Sequence, residues 1–430
     1  MRTVSEKGGR FLYILEAAFE YFFTLLVGGA FLAKTTQYLG ISDSLTGILT
    51  SATSLGCIFQ LFAVFMAGKS PVKRRVTALH ILNQACFSLV YLVPVTGLTR
   101  RASVLLFMLF VVAGYAVNNI VSSPKINWFM GLVDEHKCGE FTAVKEMVSL
   151  IGGMLFSFLM GLVVDHFEAV GNMRLAFLFM GIVCFGLMTL HTLTLLFAPE
   201  KQEKSTEKVS VRATFHALFC GRRMRCVLIL NCLWGIAYYF CVPFFGAYQV
   251  GTLGLSLVDI SVINMVIAVV RTAASPVLGR WGDRHSFSGL FAFGFVMEAA
   301  ALLCIAFAVP ANGRIMFLLY GVLTAVPQAG VGNAQLNLVY SEVTPSLRVS
   351  ALAVQNAVMG ALSFLATLLG GALVGRIQAD DNTFFGYPVY APQVLAFIGV
   401  LLCLFSLAYY LAAGRKVIGA GREDHLPDRS

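Results

Sequence analysis

Residues 279–285 read GRWGDRH. About two dozen mostly apolar residues precede them, and another apolar run begins a few residues later. Two Arg, an Asp and two Gly packed between greasy runs mark a tight polar turn between two membrane spans. The rest of the chain repeats this alternation. Of its 430 residues, 58% are hydrophobic and 12% charged, and the mean hydropathy is +0.80. Soluble domains carry about 25% charged residues. A soluble core could not hide this much apolar surface, so lipid is the solvent for most of the chain.

The net charge of +9 would suit a nucleic-acid binder if it were clustered. It lies instead in short loops between apolar runs, which excludes that partner. The ten Cys form no CxxC pair, and most sit inside apolar runs. They read as small buried hydrophobes, with no metal or disulfide chemistry implied. The first apolar run begins near Phe11 and contains Glu16 and Glu20. A cleaved signal peptide has a shorter, uncharged apolar region, so this run reads as a retained spanning helix.

A spanning helix needs about 20 mostly apolar residues. Twelve such runs are expected, at 11–34, 44–67, 76–96, 102–124, 145–166, 173–197, 224–248, 257–279, 288–309, 313–337, 349–375 and 391–413. With both termini in the cytoplasm, about 24 of the Lys and Arg fall inside and about 6 outside, the sense of the positive-inside rule. The inner set includes Lys73, Arg74, Arg75, Lys201, Lys204, Arg222 and Arg415. The reading is therefore an all-α, multi-pass protein of a cell membrane, plasma or inner. It has an N-terminal six-helix bundle (1–197), a cytoplasmic linker (198–223), a C-terminal six-helix bundle (224–413) and a cytoplasmic tail (414–430). A short interfacial helix is expected near 210–220.

A shift of about 210 residues superposes the halves, as in a parallel internal repeat. Gly68 falls near Gly279, Asn118 on Gln328, Val133 on Val343 and Gly161 on Gly371. Two similar bundles around a midplane site can alternate which side is open.

On these features the chain resembles the major facilitator superfamily of secondary transporters. That family carries the loop signature G-x-x-x-D-[RK]-x-G-[RK] after helices 2 and 8. Residues 279–284 match its first part, and Ser286 stands where the second Gly would be. The counterpart GKSPVKRR at 68–75 keeps Gly68 and Lys73 but has Val72 in place of Asp. Helix 5 has Gly152, Gly153 and Gly161 but no Pro, so the family's antiporter Gly-Pro motif is absent. The resemblance implies two six-helix bundles, a central cavity lined by helices 1, 4, 7 and 10, and a cytoplasmic latch. Gly279, Asp283, Arg284, Gly68 and Lys73 would form that latch. Asp283 would meet a helix N-terminus, and Arg284 would pair with an acid such as Glu342.

Ionisable residues in a spanning helix cost about 2.5–3.5 kcal/mol each on insertion scales, so each is a functional candidate. Glu16 and Glu20 lie one turn apart on one helix face, and Arg271 lies at a similar depth on helix 8. Three roles fit them. A Glu taken out of water can carry a proton, Arg271 can bind an anionic solute through its planar fork, or Glu20 and Arg271 can neutralise each other. Asn118, Asn231, Trp234, Tyr238, Asn264, Gln328 and Asn356 add amides and flat aromatic faces suited to a polar solute. Amides also serve as interhelical glue. Glu298 reads as a packing or lipid-boundary residue, and His80 and His191, on peripheral helices, as structural.

The residues contain no P-loop and no clustered catalytic constellation, so neither an ATP-driven pump nor an enzyme is indicated. The expected function is alternating-access transport of a small polar organic solute, coupled to protons. The alternatives are multidrug or metabolite efflux by proton antiport, or facilitative uniport. The expected partners are solute, proton and lipid. No cofactor is implied, and the chain reads as a monomer.

Overall fold

In the computed structural model, residues 6–66, 72–133, 138–200, 211–284, 287–344, 347–415 and 417 are described. They are almost wholly helical. The helices in chain order are α1 (Glu6–Leu26), α2 (Gly29–Tyr38), α3 (Asp43–Thr50), α4 (Ala52–Met66), α5 (Val72–Leu92), α6 (Arg100–Met130), α7 (Cys138–Ala169) and α8 (Met173–Phe197). They continue with α9 (Val211–Cys220), α10 (Arg222–Cys241), the single turn α11 (Phe245–Ala247), α12 (Leu257–Arg284), α13 (Phe287–Ala306), α14 (Gly313–Glu342), α15 (Arg348–Ala379) and α16 (Ala391–Tyr409). A two-strand antiparallel hairpin, Thr383–Phe384 with Tyr387–Pro388, sits between α15 and α16.

Among the described residues, ten helices are long and apolar enough to cross a membrane, or eleven if the bent pair α1 and α2 is one span. The count differs from the expected twelve because two expected spans are broken. The first, 11–34, bends by 41° where α1 meets α2. Gly29 sits there at φ +52°, a conformation that L side chains rarely adopt. The second, 44–67, is interrupted at Ser51 into helices of 8 and 15 residues, each too short to be counted. The expected short helix at 210–220 is α9.

The outer surface is apolar while polar groups turn inward. Leu105, Phe307 and Leu369 are 67–69% exposed, whereas Glu16, His80 and His191 are fully buried. This inversion of the soluble pattern is what lipid as solvent selects. Pro124, Pro276 and Pro327 lie inside α6, α12 and α14, as spanning helices tolerate.

The chain forms two compact units. The first comprises Met1–Glu207 with Pro243–Val262, the second Lys208–Val242 with Ile263–Ser430. Each unit uses the same internal pairing. In the first, α1 packs on α7, and α5 on both α6 and α8. In the second, α10 packs on α15, and α13 on both α14 and α16. Helices at equivalent positions of the two halves thus choose equivalent partners, the structural form of the sequence repeat.

Within the first unit the backbone groups freed at breaks are captured. At the α1–α2 break, Tyr115 on α6 donates to the Val27 carbonyl at 2.9 Å, and Tyr91 on α5 donates to the Leu26 carbonyl. The start of α12 is equally complete. Asp165 on α7 accepts from the Leu257 and Val258 N–H groups at 3.0 and 2.9 Å, and Ser256 Oγ accepts from Asp259 N–H at 3.0 Å. Those are three of the four donors a helix start leaves open, and the regular ladder begins with Ile260 N–H donating to the Ser256 carbonyl. Asp165→Ala removes both carboxylate bonds and should destabilise the fold by about 2 kcal/mol. Thermal unfolding in detergent measures this, and an unchanged midpoint would show that the cap contributes nothing.

Candidate functional site

The two units each gather one set of polar side chains. In the first unit the set is charged and closed. Glu16 Oε1 lies 2.6 Å from Lys125 Nζ and 3.0 Å from His191 Nε2. Lys125 also pairs with Glu20. The Glu16, Lys125 and His191 side chains are 0–3% exposed, and Glu20 is about a quarter exposed. His80 lies beside His191, the rings tilted at 58° with centroids 5.0 Å apart. Local geometry explains the arrangement. Glu16 and Glu20 are one turn apart on α1, so both carboxylates reach the same spot on α6. Lys125 follows Pro124 there, within α6 rather than after it.

Lys125 lies just outside the expected fourth span, which ended at residue 124, so the sequence reading missed it. A proline inside a membrane helix is no boundary, and α6 continues to Met130. Of the three roles open to these residues, pairing of Glu20 occurs within the first unit, with Lys125. Donor atoms of Glu16, Glu20 and His80 lie within 4.8 Å of one another, a spacing that could suit a cation. The Lys125 ammonium already contacts both carboxylates, so a metal ion would have to displace it.

In the second unit the set is open. Trp234, Tyr238, Arg271, Gln328, Gln335 and Met359 line a cavity of about 430 Å³. α14 contributes Gln328, Val331, Gly332 and Gln335 at i, i+3, i+4 and i+7, one helix face. That periodicity would have predicted Gln335 from Gln328. Trp234 is held against Phe295, with ring centroids 5.5 Å apart, and Gly294 lets it pack closely. Arg271 is exposed to the cavity and has no carboxylate partner among the described residues. Behind the lining, Gln328 donates to Thr324 Oγ1 at 3.3 Å, and Thr324 donates to Glu298 Oε2 at 2.5 Å. Glu298 is 2% exposed, so it is a buried group and not a lipid-boundary one.

The other candidates are placed less centrally. Asn231 is fully buried on α10, with neither amide atom bonded to a partner among the described residues. Asn118 on α6 and Asn356 on α15 are half-buried, and Asn264 on α12 is exposed. Lys73 caps the end of α8, donating to the Leu196 and Ala198 carbonyls at 2.7 Å each. Gly279 lies on α12, and a Cβ added there would meet nothing within 4 Å. Gly68 lies outside the described residues, and so do the side chains of Asp283 and Arg284. Glu342, the acid suggested for Arg284, pairs with Arg223 at 3.4 Å.

The family profile described as Major Facilitator Superfamily matches residues 12–284, well over half of the chain. The chain belongs to the major facilitator superfamily. Solved structures of similar fold agree with this family assignment. A nucleoside transporter, NupG, superposes with a TM-score of 0.68 at 15% identity, covering 96% of this chain and 100% of that one. A D-xylose-proton symporter gives 0.68 at 13% identity, covering 93% and 97%. PepTSo, a POT family transporter, gives 0.71 at 9% identity, covering 96% and 99%. No curated protein sequence matches the chain. As a multi-pass member of this superfamily, the chain has a transporter fold, and its helices fall into the two related sets described above.

Removing one partner of a buried ion pair costs about 3–5 kcal/mol, because the other charge stays buried. Lys125→Met should therefore unfold well below the wild-type temperature in detergent. Adding Glu16→Gln to Lys125→Met should recover part of the loss. Additive losses would mean that the two groups are not coupled.

Proposed function

We propose that this superfamily member is a secondary transporter that moves a small polar organic solute by alternating access, coupled to protons. The observation that carries the reading is the contrast between the two sites. One unit holds a closed cluster of two acids, a lysine and a histidine, all on spanning helices. The other holds an open cavity with an Arg free of any carboxylate partner among the described residues.

The cavity chemistry defines the solute class. Its volume suits a small molecule. Arg271 offers a planar fork to an anionic or strongly accepting oxygen. Gln328 and Gln335 offer paired donors and acceptors to hydroxyls or ring amides. Trp234 and Tyr238 present flat faces for a ring. A ring-bearing, multiply hydroxylated or amide-bearing solute fits this set. The nucleoside and D-xylose carriers named above handle solutes of that description.

In the proton site, Glu16 and Glu20 share a single ammonium. Protonating one carboxyl leaves Lys125 paired with the other, so a proton can be taken up without breaking the cluster. Lys125 then holds the remaining carboxylate, while His191 stays against Glu16. The proton thus changes which acid carries the salt bridge, and a change of partner at the α1–α6 contact is a means of moving one helix against another.

The test is reconstitution in liposomes with a panel of nucleosides, pentoses and dipeptides under an imposed pH gradient. Uptake should rise when the outside is acid, and Arg271→Ala should weaken binding of the solute that moves. Glu16→Gln should abolish gradient-driven accumulation while sparing solute exchange at equal pH. Full accumulation in both Glu16→Gln and Glu20→Gln would remove these acids from the coupling. The latch residues are part of the same proposal. Asp283→Asn should slow transport more than Lys73→Gln, and equal losses would defeat an asymmetric latch.

A further inference from the structure

Of the polar groups on α5, His80 borders the Glu16–Lys125 cluster, and Thr77 and Gln84 have no role in either site above. Lys73, Thr77, His80 and Gln84 recur at i, i+4, i+7 and i+11, so they share one helix face over about 16 Å. Thr77, His80 and Gln84 are 0–5% exposed. Five of their polar atoms are buried without a hydrogen-bond partner among the described residues: Thr77 Oγ1, both His80 ring nitrogens, and both Gln84 amide atoms. Two more lie on the facing helices, Glu16 Oε2 on α1 and His191 Nδ1 on α8. Seven such atoms along one seam far exceed what an apolar interior tolerates, since nearly all buried polar atoms in native proteins are bonded to protein or ordered water.

The seam has two identifiable ends. Toward the inner end, one turn before Gln84, His80 lies tilted beside His191, and His191 Nε2 meets Glu16 Oε1. At the outer end α5 starts where α8 stops, and Lys73 Nζ holds the Leu196 and Ala198 carbonyls. Lys73 is only half-buried, so this end reaches solvent. Asn83, about a quarter turn round α5 from this row, is directed to α6 instead, where it donates to the Gly114 carbonyl at 2.7 Å. The orphan atoms therefore belong to the α1–α5–α8 seam. The titratable groups facing it are Glu16, Glu20 and Tyr13 from α1, Lys125 from α6, and His191 from α8.

We infer that this seam is a hydrated passage linking the Glu16–Lys125 cluster to the Lys73 end of the unit, and that protons travel through it. The ligand is water, which typically makes about three hydrogen bonds to buried polar groups of this kind. His191 accepts a proton from Glu16 at Nε2 and releases one to water from Nδ1. His80 repeats the exchange toward Thr77, so each ring passes a proton without keeping a charge. The passage runs inside the first unit and does not use the solute cavity of the second. The proton role rests on the coupling proposed above, but the hydration does not.

The experiment labels the full chain in lipid nanodiscs with X-ray-generated hydroxyl radicals, which react beside bound water, and reads oxidation by mass spectrometry. His80 and His191 should label well above Phe87 and Phe177, which are equally buried but apolar. Gln84→Leu and Thr77→Val should each slow His80 labelling several-fold, and both replace orphan atoms with apolar ones that preserve folding. Labelling of both His at the rate of the Phe controls would overturn the passage. The proton role is read in the liposomes with whichever panel solute moves. His80→Leu should lose gradient-driven accumulation and keep equal-pH exchange; retention or loss of both would overturn that role. If the wild type moves no solute, the coupling reading fails, and the labelling alone still decides the passage.

Discussion

A hydrocarbon interior offers no water to a polar group, and this constraint governs the protein's architecture. Each backbone N–H and C=O must be satisfied by the chain itself. Regular helix does this without help. Wherever the helix stops, a side chain has to take over, and the first unit shows how. Two tyrosines meet the carbonyls freed beside Gly28 and Gly29, and Asp165 with Ser256 meets the donors at the start of α12. Irregular backbone occurs where a neighbouring helix has a hydroxyl or carboxylate to spare.

The same constraint sorts the charged side chains. In the first unit, two carboxylates share one ammonium, with Glu16 and Lys125 buried and Glu20 about a quarter exposed. In the second, Arg271 stays uncompensated because it borders a cavity, where water or a solute can face it. A charge kept free costs stability unless the space beside it is polar. The two sites are therefore different solutions to one problem. One stores charge within the protein, and the other leaves it for a ligand to meet.

The long spans were legible because length and apolar content are local properties. α8 coincides with the expected 173–197, and the acids of α1 stood out as charges in an apolar run. Arg271, Trp234, Tyr238 and Gln328, picked by residue type, line a single cavity. The rest depended on tertiary partners. Lys125 was invisible as a site residue because the expected span stopped at Pro124. His80 and His191 lie on different helices and become a pair only when α5 packs on α8. The broken spans escaped because Gly28–Gly29 and Ser51 sit in sequences apolar enough to pass as continuous helix. Asn231, Asn264 and Asn356 have the same chemistry as Gln328 but face elsewhere, and composition alone cannot orient a helix about its axis.

The Glu16–Lys125 contact also bears on how the protein is made. Glu20 and Lys125 are 105 residues apart, and Glu16 and His191 are 175 apart. Chains emerge N-terminus first, so α1 reaches the membrane long before either partner has been synthesised. Two unpaired acids on one helix carry an insertion cost of about 5–7 kcal/mol. α1 is thus a poor candidate to settle alone in lipid. It must wait at the insertion machinery, or enter with its acids protonated, until α6 arrives with the lysine. The contact that compensates these acids in the finished protein thereby sets the order in which its helices can leave the machinery that inserts them.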